Sequence, residues 1–401
     1  MASAGVRSAP SVLLVPLEDA LHWSRATISS AVGINILVYG LISPFAAALM
    51  ERFGVRRVVM SALTVVGTGA FLTQFVNAPW QLIALWGFVV GVGTGSMAVV
   101  FVATVANRWF IAKKGLVVGI LSAGQATGQL IFLPLLSSLA VNVGWQSVSM
   151  VIAIAMWTMV PLIYFLLKES PAHLGLKPLG APNDYVEKAL VKQNAAKQAW
   201  STLRESTHKK DFWLLFGSFM VCGLSTNGLV GTHFIAAAHD HGMSEVTAAS
   251  LLALIGVFDV IGTITSGVLT DKIDPRRLLF FYYFLRGVSL FLLPMILFNS
   301  IHTSTMAFVL FYGLDWVATV PPTIMLCRNV LGVERGAIVY GWVFAAHQIG
   351  ASIAAYGAAL LRVQFGNYSL AFYIAGVACV ITSYFVLQIS DPAKNQLQKK
   401  A

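Results

Sequence analysis

Apolar residues run along this chain in blocks of roughly 20 or more, broken by short stretches of charge, glycine or proline. A helix rises about 1.5 Å per residue, so such a block crosses a hydrocarbon layer of about 30 Å. The pattern predicts spanning helices over 28–50, 57–76, 80–107, 114–140 and 145–167. A long polar stretch follows, and then spans over 211–238, 246–270, 277–298, 304–327, 336–361 and 368–389. A shorter apolar segment at 6–17 precedes them all.

Composition narrows the class. Of 401 residues, 57% are hydrophobic and 10% charged, where a soluble domain carries about 25% charged. Soluble, disordered and disulfide-scaffold proteins are excluded, leaving an all-α polytopic membrane protein. Cys222, Cys327 and Cys379 lie inside apolar runs without metal-ligand spacing and read as helix-packing residues. The net charge of +10 does not point to nucleic acid, because the bases sit between spans. They set orientation instead: 22 of the 26 lysines and arginines fall in loops that share one side, and only Arg25 and Arg362 lie in the opposite loops. That bias puts the basic side and both termini in the cytoplasm. A cytoplasmic N-terminus requires an even number of spans, so the segment at 6–17 belongs to a twelfth helix. If that helix ends near Glu18 it would start about 20 residues earlier, so a truncated first span, starting upstream of Met1, is expected.

The chain repeats itself. AALMERFGVRR (47–57) matches GVLTDKIDPRR (267–277) at an offset of 220, which also sets Arg108 against Arg328. AGQATG (123–128) resembles AHQIG (346–350). Two six-helix halves, 1–167 and 211–401, joined by a charged linker at 168–210, account for these coincidences. Parallel repeats with a site between them at mid-membrane form a transporter architecture.

At these residues the chain resembles the major facilitator superfamily, whose loop signature G-x-x-x-D-[RK]-x-G-x-[RK]-[RK] is matched at Glu51, Arg52, Gly54, Arg56 and Arg57, with Ala47 in place of the first glycine. The second copy is matched in part at Gly267, Asp271, Lys272, Arg276 and Arg277. The resemblance implies a twelve-helix bundle in which these loops latch, an acid meeting arginines and a helix N-terminus. HWSRATIS (22–29), NRWFIAKKG (107–115), GTHF (231–234) and GLDW followed by Pro321-Pro322 are similar to bacterial monocarboxylate porters and oxalate–formate exchangers. The resemblance implies Asp259 in the eighth span, but Thr263 stands where the carriers place an arginine for the substrate carboxylate. The exchangers' eleventh-span lysine is also absent, with His347 nearby.

Ionisable groups at mid-membrane are costly and are functional candidates. Asp259, Arg286, Asp315 and His347 each lie ten to thirteen residues from a charged helix end, roughly 15–20 Å deep. In the superfamily's arrangement the ninth span, which carries Arg286, is peripheral, so Arg286 is expected to pair with Asp315 or Asp259, as a packing strut or as a proton-coupled switch. Arg7, on a cavity-lining helix, suits capture of a carboxylate. His233 and His347 are candidates to donate to that carboxylate or to carry the proton, with Gln125, Gln348 and Asn227 as neutral donors. Gly91, Gly93 and Gly95 lie within an apolar helix and read as close packing, not nucleotide binding. Pro321-Pro322 predicts a kink in the tenth span.

The reading is a secondary active transporter of a small organic anion, a monocarboxylate, working by proton-coupled alternating access. It would be a monomer in the cytoplasmic (inner) membrane, with anion, proton and lipid as partners and no cofactor, metal or nucleic acid. No P-loop, HExxH or GxSxG occurs, so no enzyme is expected. Two alternatives are a multidrug-type efflux antiporter, favoured by 25 Phe and 10 Trp but opposed by Arg7, and a non-transporting membrane sensor.

Overall fold

The computed structural model describes residues 2–97, 101, 104–105, 108–110, 131–181, 195–331 and 336–390. Among these the helices are α1 Ala2–Leu21, α2 Arg25–Phe53, α3 Val55–Thr73, α4 Pro79–Met97, α5 Ile131–Asn142, α6 Trp145–Leu166 and α7 Ala195–Ser206. They continue with α8 Lys210–Asp240, α9 Glu245–Thr270, α10 Pro275–Ile296, α11 Thr303–Arg328, α12 Gly336–Phe365 and α13 Ser369–Val386. Ten of the described helices are long and apolar enough to cross a membrane, and beside them stand α1, of 20 residues, and the shorter apolar α5. At 20 residues α1 is about 30 Å long. It ends at Leu21 rather than near Glu18, because the turn comes at His22, whose φ is +54°.

The repeat is legible in backbone detail. Ser24 caps α2 by accepting from Thr27 N, and Ser244, 220 residues on, caps α9 by accepting from Thr247 N. The turns before them contain His22 at φ +54° and Gly242 at φ +84°, again at an offset of 220. Identical caps and turns thus start the second span of each half.

The halves meet along α2 and α12, which approach closely at glycines. Ser352 Oγ donates to Gly33 O at 2.7 Å, and a Cβ on Gly40 would overlap Gln348. Gly91 and Gly95 hold α4 against the α2 backbone, and Gly93 faces Val66 and Ala62 of α3, which is the close packing the glycine run predicts. Helix α7, in the linker, touches both halves, packing on α2 and on α12, where Trp342 Nε1 donates to Ala199 O at 3.0 Å.

Helix α11 is interrupted between Asp315 and Val320. Pro321 and Pro322 have no N–H to offer the carbonyls of Val317 and Ala318, and their rings collide with a regular helix there. Freed backbone groups inside a membrane must find other partners, and three side chains provide them. Ser266 Oγ of α9 donates to Ala318 O at 2.5 Å, Asp259 Oδ1 accepts from Val317 N at 3.0 Å, and Arg286 of α10 donates to Asp315 O and Trp316 O at 2.6 and 3.2 Å.

Candidate functional site

A cavity of about 90 Å³ lies between the halves, with walls from α1, α2, α4, α5, α8, α9, α11 and α12. One water takes roughly 10–15 Å³ of such space, so the cavity suits several waters or one small molecule. The first wall carries Arg7. Its Nη1 donates to Tyr39 Oη at 3.2 Å and its guanidinium carbon stands 5.1 Å from the Tyr39 ring centre. No carboxylate among the described residues pairs with it. Gln348, buried at the α2–α12 seam, leaves Nε2 without a hydrogen-bond partner. Asn227 lies in a π-helical segment, Leu224–Val230, whose wider turn sets its side chain at the cavity wall. The carbonyl of Asn227 is taken by Thr232 Oγ1 at 2.8 Å.

Asp259 faces Arg7's cavity from the other half. Its Oδ1 accepts from Thr263 Oγ1 and from Val317 N, both at 3.0 Å. Thr263, where related carriers are expected to have arginine, therefore gives Asp259 a neutral donor in place of a cation. Asp315 is built differently. Its Oδ2 accepts from Arg286 Nε at 2.5 Å, Arg286 is fully buried, and Arg286 Nη1 lies 3.1 Å from Cys222 Sγ. Of the two acids offered as partners for Arg286, Asp315 holds it, and the pair sits behind the α11 break, away from the cavity.

The histidines correct the expectation that they line the site. His233 is wholly buried, its Nε2 donates to Ala355 O at 2.8 Å, and its ring lies 5.0 Å from Tyr368. His347 packs between Phe219 and Phe344, 5.0 and 5.7 Å away, with Nε2 3.5 Å from Thr226 Oγ1. Neither ring borders the cavity. The helical repeat puts Gln348 on the cavity side of α12, and its neighbour His347 therefore turns towards α8. Gln125 lies outside the described residues.

The loop signatures also differ from expectation. The acid at the N-terminus of α3 is Glu169, which accepts from Val55 N at 2.7 Å and Arg56 N at 3.1 Å, with Arg108 at 3.5 Å. At α10 it is Asp274, which accepts from Arg276 N at 3.0 Å and from the Arg276 guanidinium at 2.7 Å. Asp271, Lys272 and Arg277 are exposed, as are Arg52 and Arg57, and the Glu51 side chain lies outside the described residues. Neither carboxylate contact joins the two halves. Gly54, at φ +88°, allows the first of them, since a Cβ there would meet Glu169.

A family model described as the Major Facilitator Superfamily matches residues 1–355. The chain belongs to the major facilitator superfamily. Within that superfamily it is 26% identical over 93% of its length to monocarboxylate transporter 13 of Rattus norvegicus, covering 82% of that protein. It is 25% identical over 98% of its length to the oxalate:formate antiporter of Oxalobacter formigenes, covering 90% of it. Among solved structures, a D-xylose–proton symporter superposes with a TM-score of 0.71 over 98% of this chain and 97% of the other at 15% identity, a likeness of fold. The protein is a multi-pass membrane transporter of this superfamily.

A charged network joins the halves at the side opposite the linker. Arg25 of α2, 4% exposed, donates to Glu18 of α1 at 2.5 Å and to the Asp240 carboxylate of α8 at 3.0 Å. Arg362 of α12 reaches the same Asp240 at 2.7 Å. Tyr368 is buried beneath the Arg25 guanidinium, 5.9 Å from it. Sequence reasoning used Arg25 and Arg362 only for orientation. Their being the two bases in the loops of that side was the signal that could have marked them.

Proposed function

We propose that this transporter moves a small organic anion, a monocarboxylate, with a proton, by alternating access. The observation that carries the reading is Arg7: a guanidinium in a cavity between the halves, with a tyrosine hydroxyl and ring for company and no carboxylate among the described residues paired with it. Such a group binds a carboxylate in two parallel hydrogen bonds. The free Nε2 of Gln348 supplies a further donor, and Asn227 a polar wall. The monocarboxylate transporter and oxalate:formate antiporter among its relatives support the substrate class. The Arg7 cation on the cavity wall favours this over a multidrug antiporter for cationic compounds.

Asp259 is the group for the proton. It forms no salt bridge among the described residues and shares the cavity with Arg7, and a proton there leaves the loaded site neutral. Neutralised, the halves rock, and the Arg25–Asp240 contact between them opens and closes. The Arg286–Asp315 pair serves as a strut for α11. The basic loops support a location in the cytoplasmic membrane with both termini inside, and the site needs no second copy.

The test is uptake into proteoliposomes loaded with a pH dye. Propionate or lactate added outside with an inward proton gradient should accumulate and acidify the lumen. Arg7→Gln should cut uptake at least tenfold with normal insertion. Undiminished uptake by that variant would remove Arg7 from the site, and binding without any flux would favour the sensor reading.

A further inference from the structure

Arg7 and Asp259 border one small cavity from opposite halves, and neither is paired. They form no ion pair with each other, and neither forms a salt bridge with another side chain among the described residues. Two opposite charges left apart in a chamber of about 90 Å³ make a dipolar receptor, since each lone charge in a poorly hydrated site calls for neutralisation. A plain carboxylate satisfies only Arg7. Resting on the anion reading above, we propose that the preferred substrate is a small ammonium carboxylate, its carboxylate on Arg7 and its ammonium group on Asp259.

A second observation points to the ammonium end. Trp316 lines the same cavity as Asp259, and it precedes Val317, whose N–H donates to that carboxylate. The ring is held edge-on to Tyr312 at 5.6 Å and packs over Gly231, while Arg286 fixes the Trp316 carbonyl from behind. An aromatic face next to a carboxylate is the chemistry that recognises an ammonium group. Thr263 and Val317 N occupy Oδ1 of Asp259 with neutral donors, which orient the carboxylate without cancelling its charge. The charge balance then distinguishes two kinds of cargo. A plain carboxylate needs a proton on Asp259 to leave the loaded site neutral. An ammonium carboxylate brings its own positive charge and crosses without a net proton.

The test uses purified full-length protein and measures binding by ligand-induced thermal shift, then flux in proteoliposomes loaded with a pH dye. Alanine, β-alanine and γ-aminobutyrate are compared with propionate and butyrate. At least one amino acid should bind tenfold tighter than the acid of equal carbon number and enter without acidifying the lumen. Asp259→Asn should weaken that amino acid at least tenfold more than it weakens propionate, and Trp316→Leu should do the same to a lesser degree. Equal loss for both ligand classes in Asp259→Asn, or no amino acid binding better than its plain acid, would overturn the proposal. If plain acids still bind through Arg7 in that case, the anion reading stands alone. If Arg7→Gln alters the binding of neither class, both readings fall together.

Discussion

Asp315 stands at the start of the interrupted stretch of α11 and Asp259 meets that stretch from α9, and they are built for different work. Asp315 is closed in by a fully buried arginine that also satisfies two carbonyls of the break. Asp259 offers one oxygen to a backbone N–H and to a threonine, and borders the cavity. The first carboxylate is neutralised by its arginine and holds shape. The second is oriented but not neutralised, which is what a site that must take up and release a positive charge requires.

The sharpest way to break this contrast is to remove Arg286. Losing one member of a buried pair leaves the other charge stranded and typically costs 3–5 kcal/mol. Here it would also strand the carbonyls of Asp315 and Trp316. Arg286→Ala should therefore abolish a monodisperse elution profile in detergent, and adding Asp315→Asn should restore part of it. A stable single variant would mean that the pair is ornamental. Asp259→Asn should differ in kind, because asparagine still accepts from Val317 N. Its melting temperature should fall by a few degrees at most, while acidification of the lumen by propionate disappears. Equal destabilisation by both changes would erase the distinction.

The Arg25 network is an intermediate case, a buried cation whose partners lie on both halves. Charge-assisted hydrogen bonds are worth about 1.5–3 kcal/mol, so Arg25→Gln should raise exposure of the cavity to that side on the order of tenfold. A cysteine at Ile36 on the cavity wall, labelled by a membrane-impermeant maleimide, reads this directly. An unchanged labelling rate would show that the network does not hold the halves together.

Much of this was legible in the sequence, and the reasons for the rest are specific. Apolar block length marks spans, and an offset of 220 marks the repeat, down to the Ser24 and Ser244 caps. Helix rise brought Arg286 to the depth of Asp315, because depth depends on counting alone. Facing does not. His347 and Gln348 are adjacent, yet one packs between phenylalanines and the other borders the cavity. A hydrophobic helix gives no polar stripe from which to choose between them. The acid that meets the N-terminus of α3 could not be read from the signature, because a signature names residues on one loop. Glu169 arrives from the end of α6, more than 110 residues away.

Asp274 extends the contrast to the loop between α9 and α10, where a carboxylate again serves the backbone. Partial burial acts to raise its carboxyl, but hydrogen bonds from the Arg276 side chain and N–H outweigh it and hold the group below the ordinary carboxylate range. A depressed folded-state value means that the ionised form stabilises the fold. That contribution is fully present above the unfolded value, about 3.9, and is lost as pH falls through the folded one. Asp274→Asn retains an acceptor for Arg276 N and removes only the charge. The gap in melting temperature between wild type and variant should thus be small and constant from pH 7 to pH 5, and should close in more acidic buffer. A gap that persisted at the acidic end would assign the stabilisation to the neutral cap, and the loop carboxylate would then hold its helix by shape without charge.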